Sequence, residues 1–341
     1  MQTLDPTRPS LASLGWSPSL DDQLTPEDAE LLPLRVATVH RSRMTAVGAG
    51  GTVRLILPVK VNTANFAVGD WVLAEAHSHT LVRRLDRTTL LQRRLDGGAA
   101  QLIAANVATL FIVTSCNADF NPARLERYLA LANEAGITPV IVLTKADQTD
   151  TPQDFQAQAA ALQRGLAVVT VNALLPEAAL VLAPWCGAGQ TVALVGSSGV
   201  GKSTLLNTLA AKTGDDRQET GDIREDDAKG RHTTTSRSLH PIVGGGWVID
   251  TPGMRTLHVS DVASGLDQLF SEITDLAPHC RFRDCTHAHE PGCAVQAAVA
   301  SGTLDPARLD RWRKLRLENR DNTPVQTGPR GNKVTQSRKR R

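Results

Sequence analysis

Residues 192–209 carry the residue types and the spacing that bind a nucleoside triphosphate. Within them, GSSGVGKS matches the pattern G-x-x-x-x-G-K-[ST] at every fixed position. The glycines allow successive backbone N–H groups to converge on a phosphate, Lys202 would reach the β- and γ-phosphates, and Ser203 would bind Mg²⁺. The apolar run before this loop predicts a strand and the leucines after it predict a helix. The candidate nucleotide-binding residues here are Gly196, Ser197, Ser198, Gly199, Val200, Gly201, Lys202, Ser203 and Thr204.

Two motifs upstream indicate that the base is guanine. The sequence TKAD follows an apolar strand pattern and resembles the N/T-K-x-D motif of GTPases. The carboxylate of Asp147 can accept hydrogen bonds from both N1–H and the exocyclic amine of guanine, which adenine does not offer. The stem of Lys145 would cover the base, and Thr144 replaces the commoner Asn. Asn172 and Ala173 end the next predicted strand, where a backbone N–H would meet the guanine O6.

A third group of residues, downstream of the phosphate loop, would sense the γ-phosphate. The sequence DTPG matches D-x-x-G, in which Asp250 holds Mg²⁺ through water and the Gly253 N–H contacts the γ-phosphate. In the sequence GRHTTT we favour Thr234 as the hydroxyl ligand of Mg²⁺ and of the γ-phosphate, although the register among the three threonines stays open. Residues 213–231 before it are polar and acidic.

The residue after D-x-x-G bears on the rate of hydrolysis. Many GTPases carry a water-orienting Gln there, and this chain carries Met254. A thioether cannot orient a nucleophilic water, so intrinsic hydrolysis should be slow and another group must supply that role. His232 is the candidate, and a solvent-facing loop histidine is the alternative.

The order of these motifs along the chain is unusual. Base recognition comes first, then the phosphate loop, the switch threonine and D-x-x-G, whereas an ordinary GTPase begins with the phosphate loop. The alternation of predicted strands and helices indicates a doubly wound α/β domain. The sequence therefore predicts a circularly permuted P-loop GTPase domain.

A cysteine-rich stretch predicts a metal site. Cys280, Cys285, His287 and Cys293 offer three thiolates and one imidazole within 14 residues, enough for a closed tetrahedral zinc site. Such a zinc ion would be structural, stapling a small helical domain. His279 and His289 are competing ligands with less favourable spacing, and reduced cysteines without a metal are the alternative.

The region before the GTPase domain has a different sequence pattern. Short β-type runs broken by turns predict a small OB-fold barrel, and five arginines crowd its end. These arginines favour either phosphate contacts with nucleic acid or a solvated structural edge. They are Arg83, Arg84, Arg87, Arg93 and Arg94.

Composition bounds the remaining possibilities. The chain has 341 residues and a net charge of only +2, so no overall field drives it onto nucleic acid, but residues 321–341 hold six Lys and Arg against one Asp. No apolar run reaches the roughly 20 residues of a membrane span, and the first residues do not look like a secretory signal, so we expect a cytoplasmic protein. The predicted units are a flexible arm at 1–33, an OB-fold at 34–98, the GTPase domain at 99–265, a zinc-binding helical domain at 266–320 and a disordered basic tail at 321–341.

The combination resembles the RsgA family, also called YjeQ or EngC, over residues 34–320. The resemblance rests on TKAD, GSSGVGKS, GRHTTT and DTPG in this permuted order, followed by CRFRDCTHAHEPGC, and on the text FNPARLERYLALANEAGITPVIVLTKAD. It implies an N-terminal OB-fold, a central GTPase and a C-terminal zinc domain. It also implies that His232 takes part in hydrolysis and that the barrel contacts RNA.

The resemblance further implies partners and cofactors. These are the small ribosomal subunit with its rRNA, GTP and GDP, one structural Zn²⁺, and Mg²⁺ bound with GTP, in a monomeric cytoplasmic protein. Hydrolysis would be slow alone and stimulated by the subunit during its late maturation. The alternative is a nucleotide-gated rRNA-binding scaffold with incidental hydrolysis, which predicts little stimulation. An adenine-specific ATPase is disfavoured by Asp147.

Overall fold

The computed structural model describes residues 10–94, 99–211, 237–251 and 259–323. Within them, no helix is both long and apolar enough to cross a membrane. The strands are β1 (Leu31–Val39), β2 (Met44–Gly48), β3 (Gly51–Leu55), β4 (Trp71–Glu75), β5 (Leu81–Arg84), β6 (Leu90–Arg94), β7 (Ala100–Ala105), β8 (Thr109–Ser115), β9 (Thr138–Thr144), β10 (Ala167–Thr170), β11 (Thr191–Val195), β12 (Ser238–Pro241) and β13 (Trp247–Asp250). The helices are α1 (Pro18–Asp21), α2 (Pro122–Glu134), α3 (Pro152–Ala160), α4 (Glu177–Leu182), α5 (Lys202–Leu209), α6 (Ala263–Leu269), α7 (Ser271–Leu276), α8 (Ala294–Ala300) and α9 (Pro306–Asn322).

The first five strands form the predicted OB-fold barrel. β1 pairs with β2 and β4, β2 pairs with β3, and β4 pairs with β5. A bridge between Ile56 and Thr80 closes the ring, giving the order β1-β2-β3-β5-β4. Apolar side chains that point inward from these strands fill its core, namely Leu34, Val36, Met44, Ala46, Leu55, Val72, Ala74 and Leu81.

The GTPase domain is built on the predicted mixed sheet. Its strand order is β10-β9-β8-β11-β13-β12, and all neighbours are parallel except β12, which runs antiparallel to β13. Successive residues of β8 belong to two different cores, Leu110 and Ile112 to one and Phe111 and Val113 to the other. Because helices cover both faces, the central strands are continuously apolar, which is why they are readable from the sequence.

The barrel and the GTPase sheet are continuous. Thr38 of β1 pairs with Ser238 of β12, so 11 strands form one sheet. β6 and β7 form a separate two-stranded hairpin, and the predicted domain boundary at residue 98 falls between these two strands.

The prediction of a flexible N-terminal arm is wrong for residues 10–30. Leu14 and Leu20 are buried, and the ring of Trp16 meets that of Trp71 edge-on with centroids 4.9 Å apart. The Trp247 indole of β13 donates to the Ser13 carbonyl at 2.7 Å. These apolar side chains fill the space between the barrel and the α/β sheet, so the segment is ordered by contacts that its own sequence does not show.

Arg35 of β1 crosses the same junction. Its guanidinium is 1 % exposed and donates to the Leu14 carbonyl at 2.6 Å and to the Thr191 hydroxyl at 2.7 Å. Thr191 begins β11, the strand that leads into the phosphate loop. Burial lowers the pKa of Arg35 to about 10, still far above neutral pH, so a positive charge is buried between the two domains.

The helical domain packs on α2 of the GTPase domain. At Gly265 of α6, a Cβ would lie 2.1 Å from the Ala130 carbonyl, so only glycine allows this approach. Arg308 of α9 is buried, donates to Glu126 of α2 at 2.7 Å, and lies 4.0 Å from the Phe270 ring centre. The last helix, α9, continues to Asn322, two residues past the predicted end of the helical domain at residue 320.

Candidate functional site

The phosphate-binding loop lies between β11 and α5, as the sequence predicts. A Cβ at Gly196 would lie 2.2 Å from the Val113 carbonyl, and Gly199 and Gly201 have φ values of 78° and 91°. A residue with a Cβ would clash at Gly196 and would be strained at Gly199 and Gly201. The Lys202 ammonium donates to the Ser197 carbonyl across the loop, and Ser203 follows in the first turn of α5.

The guanine motif is joined to this loop through Thr144. Thr144 ends β9, is fully buried, and donates its hydroxyl to the Val200 carbonyl at 2.6 Å. A buried side chain of this kind fixes the distance between two loops. Thr144 therefore ties the end of β9 to the phosphate loop, and Asp147 stays exposed beyond it.

The two segments proposed to surround the base are held by local geometry. Lys145 has a φ of 55°, which turns the chain sharply after β9. The carbonyl of Ala173 accepts a hydrogen bond at 2.7 Å from Thr208 of α5. The side-chain oxygen of Asn172 accepts from the Leu174 N–H at 3.1 Å. The helix that starts at the phosphate loop thus also supports the loop after β10.

Asp250 lies at the carboxyl end of β13, beside the phosphate loop. It is 7 % exposed and stands opposite Leu194 in the parallel register. The Thr251 hydroxyl donates to the Leu194 carbonyl, which ties the start of DTPG to the phosphate-loop strand. The ends of β9, β10, β11 and β13 therefore bring all the described motif residues to one edge of the sheet. His232, Thr234 and Gly253, with Met254, lie outside the described residues.

Side chains at the end of α9 hold the chain that follows D-x-x-G through hydrogen bonds. Glu318 accepts from the Val259 N–H at 3.0 Å and pairs with Arg127 of α2 at 2.6 Å. Asn319 accepts from the Val262 N–H at 3.0 Å, and the Thr323 hydroxyl accepts from the Asp261 N–H at 2.8 Å. Sequence reasoning missed these residues, because about 60 residues separate the partners.

The four predicted metal ligands converge. The ligand atoms of Cys280, Cys285, His287 and Cys293 all lie within 4.8 Å of one another. The sulfurs of Cys280 and Cys293 are 3.8 Å apart, and the His287 Nδ1 lies 3.5 Å and 3.4 Å from them. A tetrahedral zinc ion with bonds of about 2.3 Å to sulfur and 2.0 Å to nitrogen spaces its ligands by about 3.5–3.8 Å. The residues present therefore fit a tetrahedral metal site.

The surroundings favour the metal-binding forms of Cys280 and His287, whereas burial and the neighbouring thiols raise the pKa of Cys285 to about 11. Burial acts to raise the pKa of the Cys280 thiol, but hydrogen bonds from the backbone N–H groups of Ala294 and Val295 lower it overall. Burial lowers the pKa of His287, which keeps its imidazole neutral. Gln296 donates to the His287 carbonyl at 2.5 Å and fixes the left-handed turn at that residue. Thiolate and neutral imidazole are the forms that bind metal.

The arginine-rich edge of the barrel is not a free basic surface. Arg87 forms two hydrogen bonds with the buried Asp70, at 2.6 Å and 2.7 Å. Arg83 pairs with Asp28 at 2.6 Å, and Arg94 pairs with Asp261. These partners lie 17 to 167 residues away in the sequence, so the pattern of arginines alone did not reveal them. The edge joins structural elements, which does not favour the prediction of phosphate contacts there.

Comparisons with known proteins agree with this geometry. The family model RsgA GTPase matches residues 84–260. A protein of Mesorhizobium japonicum named "Small ribosomal subunit biogenesis GTPase RsgA" is 65 % identical over all of this chain and 99 % of its own. A Vibrio parahaemolyticus relative named "Small ribosomal subunit biogenesis GTPase RsgA 2" is 48 % identical over 93 % of this chain and 87 % of its own.

Solved structures show the same fold. YjeQ from Thermotoga maritima superposes with a TM-score of 0.62 at 24 % identity, covering 84 % of this chain and 98 % of its own. YloQ, described as a circularly permuted GTPase, gives 0.60 at 21 % identity, covering 89 % and 100 %. The motif order, the strand order and the full-length similarity lead to one conclusion: the chain belongs to the RsgA GTPase family and is a circularly permuted GTP hydrolase.

Proposed function

We propose that this GTPase binds the small ribosomal subunit, hydrolyses GTP to GDP and phosphate on it, and acts in late maturation of that subunit. The observation that carries the enzymatic part is the junction of the guanine motif and the phosphate loop through the Thr144–Val200 hydrogen bond. The ribosomal part is supported by relatives whose printed names describe small ribosomal subunit biogenesis.

In the proposed site, the described residues bind and orient the nucleotide. Asp147 would select guanine, with Lys145 against the base and Asn172 and Ala173 at the O6 edge. Lys202 would place its ammonium on the β- and γ-phosphates. The backbone N–H groups of residues 197–204 would line the phosphates, and Ser203 and Asp250 would hold the Mg²⁺ bound with GTP. That ion would neutralise charge on the β- and γ-phosphates when bound.

Hydrolysis itself is assigned to residues outside the described part of the chain. We propose that Thr234 and Gly253 contact the γ-phosphate and that His232 orients the attacking water, the role that Met254 cannot fill. The chain that follows each of these groups is held by a flanking domain. Binding of the subunit would therefore align the groups. Turnover alone would be slow.

The metal cluster is proposed to hold one structural zinc ion. All four ligands come from the protein, so no coordination position is left for a substrate. The ion would staple the loop that follows α7 to the start of α8. It would take no part in GTP hydrolysis.

The proposed RNA-binding face of the barrel is the β1–β2 loop with β3, away from the arginine-rich edge. Three basic side chains of this face, Arg41, Arg43 and Arg54, are exposed and form no ion pair with a described residue, and the same is true of Lys60 in the chain that follows β3. Strands 2 and 3 and the first loop are the surface with which OB-folds bind oligonucleotides. On α9, Lys314 and Arg316 would add phosphate contacts.

We further propose the domain arrangement and cellular setting. The units are an RNA-binding OB-fold over residues 34–98, a GTPase domain over 99–265 and a zinc-binding helical domain over 266–320, with a basic tail at 321–341. Residues 10–30 are best grouped with the junction that they fill. The protein would act as a monomer in the cytoplasm, where its partner is assembled.

GTP turnover with and without purified small ribosomal subunits tests this proposal. We expect slow release of phosphate by the protein alone and a large increase on addition of subunits, with the large subunit as the control. A His232→Ala variant should bind subunits but lose the increase. Equal turnover with and without subunits would contradict the proposal and favour a scaffold with incidental hydrolysis.

A further inference from the structure

The turn between the first two metal ligands presents an aromatic side chain to solvent. All twelve Phe, Trp and Tyr residues lie in the described part of the chain, and only Phe282 is exposed, at 41 %. Elsewhere in the protein these rings are packed against neighbours. An aromatic ring kept at the surface, on a turn where a small polar residue would suffice, points to a use outside the fold.

The turn holds this ring in a fixed place. The Arg281 N–H donates to the Gly292 carbonyl at 3.0 Å, and the Cys285 N–H donates to the Phe282 carbonyl at 3.3 Å. Cys280 and Cys285, which bracket the turn, both belong to the metal cluster. Phe282 is thus presented on a short loop whose two ends are both tied to the metal-binding loop.

Arginines precede and follow Phe282 in the sequence. Arg281 and Arg283 are exposed, and the Arg281 guanidinium carbon lies 5.5 Å from the centre of the Phe282 ring. Among the described residues, no carboxylate forms an ion pair with either arginine. An exposed ring beside one guanidinium, with a second exposed arginine next in the chain, matches what an unpaired nucleotide requires, which is a flat apolar face for the base and positive charge for the phosphates.

The surroundings favour RNA over a protein partner. Contiguous exposed apolar patches mark surfaces on which a protein partner docks. In residues 259–323, the only other exposed large hydrophobic side chain is Leu317 of α9. A single ring between two arginines is too small for such a patch, but it is large enough to stack on one base.

We propose that Phe282 stacks on an unpaired base of the RNA of the small ribosomal subunit, with Arg281 and Arg283 contacting the adjoining phosphates. The inference rests on the proposed function and names the chemistry by which the helical domain would bind. Because every base has an aromatic face, the contact would be tolerant of base identity.

Binding of the full-length protein to purified small subunits, in the presence of a non-hydrolysable GTP analogue, tests the stacking contact. Phe282→Ala and Phe282→Leu should both weaken binding by about 5- to 150-fold, since base–aromatic stacking contributes that much per base. Phe282→Trp should retain the wild-type affinity. Leu180→Ala, which alters a side chain that is 73 % exposed on α4, is the matched control and should change nothing. Zinc content and basal GTP turnover should be equal in all four variants.

A photo-crosslinking phenylalanine analogue at position 282 identifies the partner directly, and we expect crosslinks to RNA. Loss of affinity in Phe282→Ala but not in Phe282→Leu, or crosslinks to a ribosomal protein, would overturn the inference in favour of an apolar protein pocket. Equal affinity of all variants would remove Phe282 from the interface while leaving the proposed function intact. Failure of the wild-type protein to bind subunits would overturn the proposed function and the inference with it.

Discussion

The barrel and the helical domain attach to the GTPase sheet by different physical means. The barrel joins through backbone pairing as well as through the buried Arg35, since Thr38 of β1 pairs with Ser238 of β12 in one continuous sheet. The helical domain joins through side chains of α9, with Glu318 and Asn319 accepting from backbone N–H groups of the chain after D-x-x-G. Backbone pairing fixes the register of two neighbouring strands. Side-chain hydrogen bonds contribute about 0.5–1.5 kcal/mol each and can break one at a time.

Each attachment lies just after a segment that is predicted to sense the γ-phosphate. β12 begins shortly after the GRHTTT sequence, and Val259 follows the DTPG sequence by a few residues. Circular permutation is what makes the second attachment possible, because D-x-x-G now leads directly into the helical domain. Each flanking domain is therefore placed to act on a different part of the same site.

Metal removal should produce the largest difference in amide protection between the helical domain and the barrel. Chelation, or Cys293→Ser, should abolish amide protection over residues 280–300, since structural zinc in small domains contributes about 10–16 kcal/mol. The barrel has its own core and should keep its protection. Hydrogen exchange followed by mass spectrometry measures both in one experiment. Equal loss of protection in the barrel would show that the two domains fold as a single unit.

Replacing the buried arginine at each junction should cost different amounts of stability. Arg308→Met leaves Glu126 buried with one partner fewer, and should lower the free energy of unfolding by about 3–5 kcal/mol. Arg35→Met leaves only neutral acceptors at Leu14 and Thr191, and should cost about 1–3 kcal/mol. Urea unfolding of the two variants measures the difference. A larger cost at Arg35 would mean that its charge has a carboxylate partner.

The contribution of each hydrogen bond from α9 to amide protection of the chain segment after D-x-x-G should be measurable separately. Glu318→Ala and Asn319→Ala should speed amide exchange at Val259 and Val262, respectively, by about 5- to 10-fold, corresponding to about 1 kcal/mol each. Arg320→Ala, on the same helix but in an exposed pair with Asp321, is the control. Unchanged exchange in both variants would mean that these bonds do not hold the segment.

Acid should loosen the N-terminal junction by the smallest amount. Hydrogen bonding to the Arg83 guanidinium, and to the backbone N–H of Thr25, holds the pKa of Asp28 well below its ordinary value of 3.8. A depressed carboxyl pKa contributes stability that is present above 3.8 and is lost as the pH falls below it. Protection of residues 20–30 should therefore stay constant from pH 8 to about pH 5 and decline below about pH 4. Asp28→Asn should remove this dependence, and a decline near pH 6 in the wild type would contradict the assignment.

Residues whose partners are close in sequence were predictable. The phosphate loop, TKAD and the Cys–His cluster act through fixed local spacing, and the buried central strands read as continuous apolar runs. β2 was missed because four of its five residues are buried, which hides the alternation of a half-exposed strand. The β6–β7 hairpin was also missed.

Features that depend on distant partners were not predictable. The arginine-rich edge looked like a nucleic-acid surface because Asp28, Asp70 and Asp261 lie far from it along the chain. The order of residues 10–30 likewise follows from a gap between two domains that only the fold creates. Side chains of α9 gave no signal of their own, since polar residues on a basic helix are ordinarily solvated.

We propose that the motifs assembled at one sheet edge form a guanine-specific hydrolytic site that acts with the small ribosomal subunit. The most direct measurement compares turnover of GTP and of xanthosine triphosphate by wild type and by Asp147→Asn, with small subunits present. We expect the wild type to prefer GTP, and the variant to lose GTP turnover and gain xanthosine triphosphate turnover. Retained preference for GTP in Asp147→Asn would contradict it.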